Sequence, residues 1–275
     1  MRKYSEKILA VVTWGAAAMT LGTLAFLVLF ILIRGIPNLK PSLFALEYNS
    51  ENVSLLPPLI STALITLYSL ALAVPLGVGS AIYLAEYAKR GSRAVKLIRV
   101  TAETLSGIPS IVYGLFGWLF FVSALHWGYS VLAGTFTLSI MILPLIIRAS
   151  EEALKAVPDT YREASFGIGA GRLRTVFRVV MPPAMPGILA GVILAIGRIV
   201  GETAALIYTA GTVAQIPPDA MSSVRTLSVH MYALSNEGLY MNQAQATAVV
   251  LLVLVAGINA LSGVIAKRIG GKAHP

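Results

Sequence analysis

Long, nearly uninterrupted apolar runs dominate this chain. Each run approaches or exceeds the roughly 20 residues that an α-helix needs to cross a bilayer. A lone helix satisfies its own backbone hydrogen bonds in lipid, so each run is predicted to be a transmembrane helix. The pattern therefore predicts an all-α integral membrane protein with six spans, and residues 1–275 form a single transmembrane domain. The runs cover about 8–33, 59–85, 105–125, 130–147, 187–213 and 244–266.

Composition supports this class. Hydrophobic residues make up 57% of the chain and charged residues only 12%, whereas soluble domains are about 25% charged. The absence of cysteine excludes disulfides and thiolate chemistry.

The first run follows a basic start, which is also typical of a cleaved secretory signal. Its length, 8–33, is well beyond the roughly 7 to 15 apolar residues of a signal core, so a retained span is predicted.

The positive charges predict the orientation. Of the 21 Lys and Arg, all but Arg34, Lys40, Arg198 and Arg225 fall at the termini or in alternate connections on one side. Cytoplasmic loops carry the excess of Lys and Arg, so both termini are predicted to be cytoplasmic. The net charge of +9 is thus a topology signal and does not indicate nucleic-acid binding. The connections at about 34–58 and 214–243 are then external.

The cytoplasmic connection at about 148–186 is patterned for two short helices. The first is predicted to begin near Thr160, because Thr160 and Glu163 have the spacing of a capping box. The glycines at 167–171 would end it. A second, amphipathic helix would follow, closed by the two prolines that begin at Pro182. Its apolar stripe consists of Leu173, Val176, Phe177 and Val180.

The segment EASFGIGAGRLRTVFRVVMP within this connection resembles the EAA loop of ABC importer permeases. The spacing matches throughout, with Ser165, Val179 and Met181 as conservative departures. The resemblance implies that the loop docks into a groove on an ATPase subunit. The alternative for the acid is that Glu163 only caps its helix, and the loop's arginines are interpreted as contacts with anionic lipid headgroups. The implied docking residues are Glu163, Ala164, Ser165, Gly169 and Pro182.

Three further motifs narrow the resemblance. ETLSGIPSIVYGLFG, LPLIIRASEEALKAVPDTYREAS and ILAIGRIVGETAAL together resemble phosphate importer permeases of the PstA type. This resemblance implies an inner-membrane type I importer bundle that transports phosphate. Its implied partners are a PstC-type permease subunit, a cytoplasmic ATPase dimer, an external phosphate-binding protein and membrane lipid. The chain itself lacks the GxxxxGK[ST] motif and is expected to be non-catalytic and free of cofactors.

Arg198 and Glu202 are the candidate substrate-path residues. They lie inside the fifth run, where one charge costs on the order of 3 kcal/mol. Charged residues placed at such a cost are expected to have a function. Being four residues apart, they are predicted to share one helix face. We expect Arg198 to present its planar fork to phosphate while Glu202 holds the guanidinium. The alternative is a buried ion pair that fixes helix packing, although Arg before Glu is the less favourable order.

Arg148 is a second path candidate, at the cytoplasmic end of the fourth run. It fits a positive-inside residue equally well. The external connection at about 214–243, which contains Arg225 and His230, is long enough to contact the binding protein; it also fits a re-entrant segment or a surface cover.

Other functional classes fit less well. A secondary transporter or channel would tolerate an intramembrane Arg and Glu but has no use for the EAA spacing. A cofactor-bearing anchor would need histidines inside the spans, and none lies within one. An importer of sulfate or another oxyanion is the nearest alternative.

Overall fold

The computed structural model describes residues 2–89 and 91–270, and these residues are helical with no strands. Arg90 and Lys272, two of the predicted cytoplasmic charges, lie outside them. Shorter 3₁₀ turns cover Ile36–Asn38 and Pro41–Phe44, and π-helical turns cover Tyr83–Tyr87, Trp118–Ala124 and Val176–Val180. The helices are α1 (Arg2–Gly35), α2 (Leu56–Ile82), α3 (Arg93–Ser106), α4 (Ser110–Gly117), α5 (Val131–Lys155), α6 (Asp159–Gly167), α7 (Arg172–Thr175), α8 (Met181–Val200), α9 (Ala204–Thr209), α10 (Leu227–Glu237) and α11 (Met241–Gly270).

The number of spans agrees with the sequence pattern. In the part of the chain described, five helical stretches are long and apolar enough to cross a membrane, and a bent helix pair brings the number to six. α2 continues through Pro75 without interruption. α1 packs beside α11, where Gly35 lies directly against the backbone of Gln245. None of residues 9–34 of α1 is buried, so this apolar surface is free for lipid or another subunit.

The third span differs from its predicted bounds of 105–125. The chain turns by 100° between Val95–Ser106 and Ser110–Ala124. Gly107 and Pro109 lie at the turn, and proline cannot continue the preceding helix. Only the second arm of the bent pair continues the predicted span. The first arm, α3, is amphipathic and packs beside the cytoplasmic half of α5.

The sequence predicted that the two prolines beginning at Pro182 end the second loop helix. In the structure they do not end it. One continuous helical stretch runs from Arg172 to Val200, so the loop helix and the fifth span are a single rod. The π-helical turn Val176–Val180 explains this, because the prolines then fall on the first turn of α8, where proline is tolerated. The predicted apolar stripe is also split, since Val176 and Val180 are buried while Leu173 and Phe177 are exposed.

The fifth span, predicted as one helix at 187–213, is interrupted in the structure. α8 ends at Val200, and α9 begins at Ala204 after a short non-helical break. Gly187 and Gly191 of α8 lie against Ala153 and Ala149 of α5, so these two antiparallel helices pack closely. The break therefore occurs about midway along α5, deep within the bundle.

The connection after α9 folds back into the bundle. Residues 224–230 are all buried. The backbone N–H of Leu227 donates to the hydroxyl of Thr62 on α2, and the Ser228 hydroxyl donates to the carbonyl of Glu202. Non-helical backbone is tolerated at this depth only where protein surrounds it. Of the interpretations left open by the sequence, this arrangement matches a re-entrant segment.

Candidate functional site

Arg198 lies in the last turn of α8 and faces an open cleft. The cleft, about 380 Å³, is lined by Leu145 of α5, by α8 itself and by Val255 and Asn259 of α11. Leu145 is near the middle of α5, so the arginine lies at mid-depth in the bundle. No ion pair found among the described residues includes Arg198. The guanidinium is half-buried and available to an external anion.

Glu202 does not share a helix face with Arg198. It follows the end of α8, and its carboxylate accepts a hydrogen bond from the Ala205 backbone N–H at 3.0 Å. Glu202 precedes Thr203, the N-cap residue of α9, and its carboxylate satisfies one of the N–H groups left free in the first turn of that helix. The predicted pairing, in which Glu202 holds the guanidinium, is therefore wrong, and so is the alternative of a packing ion pair. The break at Gly201 moves Glu202 off the α8 surface and turns it towards α9.

Arg148 differs from Arg198 because it already has acidic partners. Its guanidinium lies 3.1 Å from Glu152 and 3.8 Å from Glu103. The side chain is exposed, so these pairs are solvent-screened and contribute little stability. Nearby, the buried carboxylate of Glu151 accepts from Arg99 and Lys155 at 2.6 and 2.7 Å. The cytoplasmic ends of α3 and α5 are thus joined by a charge network.

The loop at about 148–186, called the coupling loop after the role expected from its resemblance, presents its expected docking residues unevenly. Glu163 and Ala164 are exposed on α6, and Pro182 is exposed at the start of α8. Ser165 is buried instead, and its hydroxyl lies 2.9 Å from the Thr175 hydroxyl of α7. Gly169 has a φ of 82°, the left-handed conformation that favours glycine. It follows the end of α6 at Gly167, so the first loop helix ends within the glycines at 167–171, as predicted.

The predicted capping box is not formed. α6 begins at Asp159, so Thr160 is already inside the helix, and no side chain caps its N-terminus. Glu163 is thereby left free on the surface. Large apolar side chains of the same loop are also exposed, and exposed apolar surface is typical of a protein interface. They are Tyr161, Phe166, Ile168, Leu173 and Phe177.

Arg162 ties the coupling loop to the bundle, a contact that the sequence did not reveal. Its guanidinium binds the Glu86 carboxylate at the end of the second span, with Nη2 2.6 Å from Oε1. It also donates to the backbone carbonyls of Leu154 and Val157 at the end of α5. Both charged side chains are largely buried. α6 is therefore anchored to α2 and α5 through one side chain.

No group of three potential metal-ligating side chains occurs in the described part of the chain.

Comparison with known proteins identifies the class. Residues 73–271 match the family described as the binding-protein-dependent transport system inner membrane component. A bacterial alginate ABC transporter solved in complex with its pentasaccharide-bound periplasmic protein has a chain of the same fold. The TM-score is 0.64 at 16% identity, with 94% of this chain and 95% of that chain covered.

Sequence relatives agree. A probable ABC transporter permease protein YqgI of Bacillus subtilis (strain 168) is 32% identical, with 86% of each chain covered. The phosphate transport system permease protein PstA of Pasteurella multocida (strain Pm70) is 36% identical over 76% of this chain and 75% of its own. This chain therefore belongs to the inner membrane component family of binding-protein-dependent transport systems. The resemblance to PstA-type ABC permeases, drawn from the three motifs, is confirmed.

Proposed function

We propose that this chain is the permease subunit of an ATP-driven phosphate importer and that Arg198 contacts phosphate in the translocation path. The observation that carries the proposal is the position of Arg198 at mid-depth, open to a cleft and free of acidic partners. A charge at this depth is costly unless it faces water or a ligand. Its planar fork matches the geometry of a phosphate group. Relatives with a phosphate transport name support the choice of anion.

The break beside Arg198 fits this role. α8 ends two residues after the arginine, and the Glu202 carboxylate closes the hydrogen-bonding gap by capping α9. Interrupted helices at mid-depth are typical of transporter sites, because a break gives two rigid halves that can shift separately. A PstC-type subunit would supply the opposite wall of the path. Arg148 would then receive the anion at the cytoplasmic end, in competition with its two acidic neighbours.

The coupling loop supplies the link to ATP. The exposed Glu163 and Ala164 face of α6 would dock on the cytoplasmic ATPase. The Ser165 contact with α7 and the Arg162 contact with Glu86 would carry movement of α6 into the second and fifth spans. An external phosphate-binding protein would deliver the substrate.

Uptake of radiolabelled phosphate tests the proposal in cells that lack this chain. Wild type should restore ATP-dependent uptake that excess sulfate does not inhibit, and Arg198→Gln should nearly abolish it at equal membrane levels. Normal uptake by Arg198→Gln would disprove the role of this arginine. If wild type restores no phosphate uptake, or if sulfate competes fully, the substrate is another oxyanion.

A further inference from the structure

Asn259 is a polar residue inside the sixth predicted span, 244–266. Only apolar residues and one glycine precede it in α11 from Ala248 to Ile258. An amide that faced lipid at this position would lose its hydrogen bonds to water, which is costly. Polar side chains within a span therefore face protein or a water-filled path, and they often mark functional sites.

The structure places Asn259 in the same cleft as Arg198. Val255 and Asn259, four residues apart and so on one face of α11, both line this cleft. Leu194 and Arg198 are likewise four apart on α8, which packs beside α11. Among the described residues of the lining, Arg198 and Asn259 have the two polar side chains. One cation and one neutral amide therefore meet in an otherwise apolar opening.

Both polar groups are accessible from the cleft. Asn259 is exposed and Arg198 is half-buried, and the Asn259 side chain has no hydrogen bond within the described part of the chain. A side chain at Gly197, which also lines the cleft, would meet no atom within 4 Å, so the space beside Arg198 is open. The volume of about 380 Å³ holds a tetrahedral oxyanion and several waters, since one water occupies about 30 Å³.

Arg198 alone can hold an oxyanion but cannot distinguish phosphate from sulfate. A guanidinium has donors and no acceptor, so it binds the unprotonated oxygens of either anion. Phosphate keeps a P–OH group near neutral pH, whereas sulfate does not. The Asn259 amide has a carbonyl oxygen that can accept from this P–OH group. A carboxylate could also accept, but its charge would attract Arg198 and repel the anion.

We propose that Asn259 contacts the anion beside Arg198 and sets the preference of the path for phosphate over sulfate. Its side-chain oxygen accepts from the P–OH group while Arg198 donates to the unprotonated oxygens. This role rests on the proposed function, in which Arg198 contacts phosphate, and it adds the residue that recognises the proton. The other use of an amide inside a span is a hydrogen bond to a neighbouring helix, here one of a second permease subunit.

The first experiment measures anion binding to the complex purified with its associated subunits. The external binding protein is left out, because its own selectivity would mask that of the path. At neutral pH and constant ionic strength, inorganic phosphate should raise the unfolding temperature more than sulfate does. Asn259→Leu is similar in size but has no acceptor, so its phosphate shift should fall to the level of the sulfate shift. Arg198→Gln should abolish both shifts.

Asn242→Leu is the matched control. Asn242 is an exposed asparagine in the first turn of α11 and lies outside the cleft, so its loss should leave both shifts at the wild-type values. A phosphate shift that still exceeds the sulfate shift in Asn259→Leu overturns the proposal. Equal phosphate and sulfate shifts in the wild-type complex overturn it as well.

Asn259→Asp separates anion contact from a role in joining helices. Aspartate keeps the shape and an acceptor for a neighbouring helix, but it places a negative charge in the cleft with Arg198. The variant should assemble, and both of its anion shifts should be smaller than those of wild type. If Asn259→Leu fails to assemble while Asn259→Asp assembles with wild-type shifts, Asn259 only joins helices and the anion contact is disproved.

Uptake in cells that lack this chain gives the second readout. Asn259→Leu should lower phosphate uptake about tenfold at equal membrane levels, the order expected for loss of one hydrogen bond to a charged group. Asn242→Leu should be normal. Normal uptake by Asn259→Leu overturns the proposal and leaves the proposed function intact, because dependence on Arg198 is measured separately. If wild type restores no phosphate uptake, the proposed function fails, and the phosphate preference assigned to Asn259 fails with it.

Discussion

Arg162 and Glu86 are 76 residues apart in the sequence, yet the Arg162 guanidinium contacts both carboxylate oxygens of Glu86. The hydrogen bond with Glu86 raises the pKa of Arg162 above its ordinary value, so the arginine stays charged. Arg162 immediately precedes Glu163, the exposed residue proposed to dock on the ATPase. On α6, Glu163 is thus exposed to solvent while the adjacent Arg162 is bound to the second span.

We expect Glu86→Gln to uncouple ATP hydrolysis from transport. The neutral amide leaves a largely buried guanidinium without its charge partner, and losing one member of a buried pair costs about 3 kcal/mol. The two carbonyl acceptors from α5 remain, so α6 should stay folded. Phosphate uptake should fall by about tenfold or more while the reconstituted complex still hydrolyses ATP. Both rates are measured on the same proteoliposomes.

Lys96→Gln is the control for this variant. Lys96 is an exposed cytoplasmic charge on α3, so its loss should leave uptake and ATP hydrolysis unchanged. If Glu86→Gln also leaves the ratio of transport to hydrolysis unchanged, the Arg162 contact is not part of the coupling route.

Glu202 should be needed as a hydrogen-bond acceptor rather than as a charge. Glu202→Gln keeps an oxygen for the Ala205 N–H, so it should transport at nearly the wild-type rate. Glu202→Ala removes the cap and should destabilise the complex by about 1 kcal/mol, seen as a lower unfolding temperature. Loss of uptake in Glu202→Gln comparable with that in Arg198→Gln would instead show that the negative charge takes part in transport.

Much of the fold was predictable because long apolar runs and the distribution of Lys and Arg are local signals. One error arose where the prolines at Pro182 were taken as a helix end. The π-helical turn before Pro182 lets α8 continue, and nothing in the local pattern marks that change of register. The opposite error occurred at Gly201, where an apolar run hid the interruption of the helix.

The candidate site, like the fold, could be predicted from the sequence only in part. Arg198 could be found because a charge within an apolar run is visible in the sequence. Its relation to Glu202 could not, since four-residue spacing implies a shared face only if the helix is continuous. The contacts of Arg162 with Glu86 and of Arg225 with Tyr48 join distant segments, and only tertiary packing brings them together.

Gly191 should tolerate no side chain larger than its own hydrogen. A Cβ at this position would clash with the Cβ of Ala149. Gly191→Val should therefore force α8 away from α5 and lower stability by about 1 to 3 kcal/mol, as overpacking does. Gly257→Ala in α11 is the matched control, because that position has open space around it and should show no loss. Equal unfolding temperatures for the two variants would contradict the close packing.

His230 should make the stability of the complex depend on pH. Burial, followed by the nearby charge of Arg225, lowers the pKa of His230 from 6.5 to about 3, against a small opposing effect of the Val53 backbone. The unfolded chain therefore binds a proton between about pH 6.5 and 3 that the folded chain does not. Stability contributed by the neutral ring is present above pH 6.5 and is lost as the pH falls, by up to about 1.4 kcal/mol per pH unit.

The measurement is the unfolding temperature of the wild-type complex and of His230→Asn from pH 7.5 to 4.5, in a buffer free of phosphate. Wild type should lose more stability across this range than the variant, because asparagine does not titrate. The excess loss should begin near pH 6.5, where the unfolded histidine takes up its proton. Parallel curves for the two proteins would mean that His230 is protonated, or exposed, in the folded state.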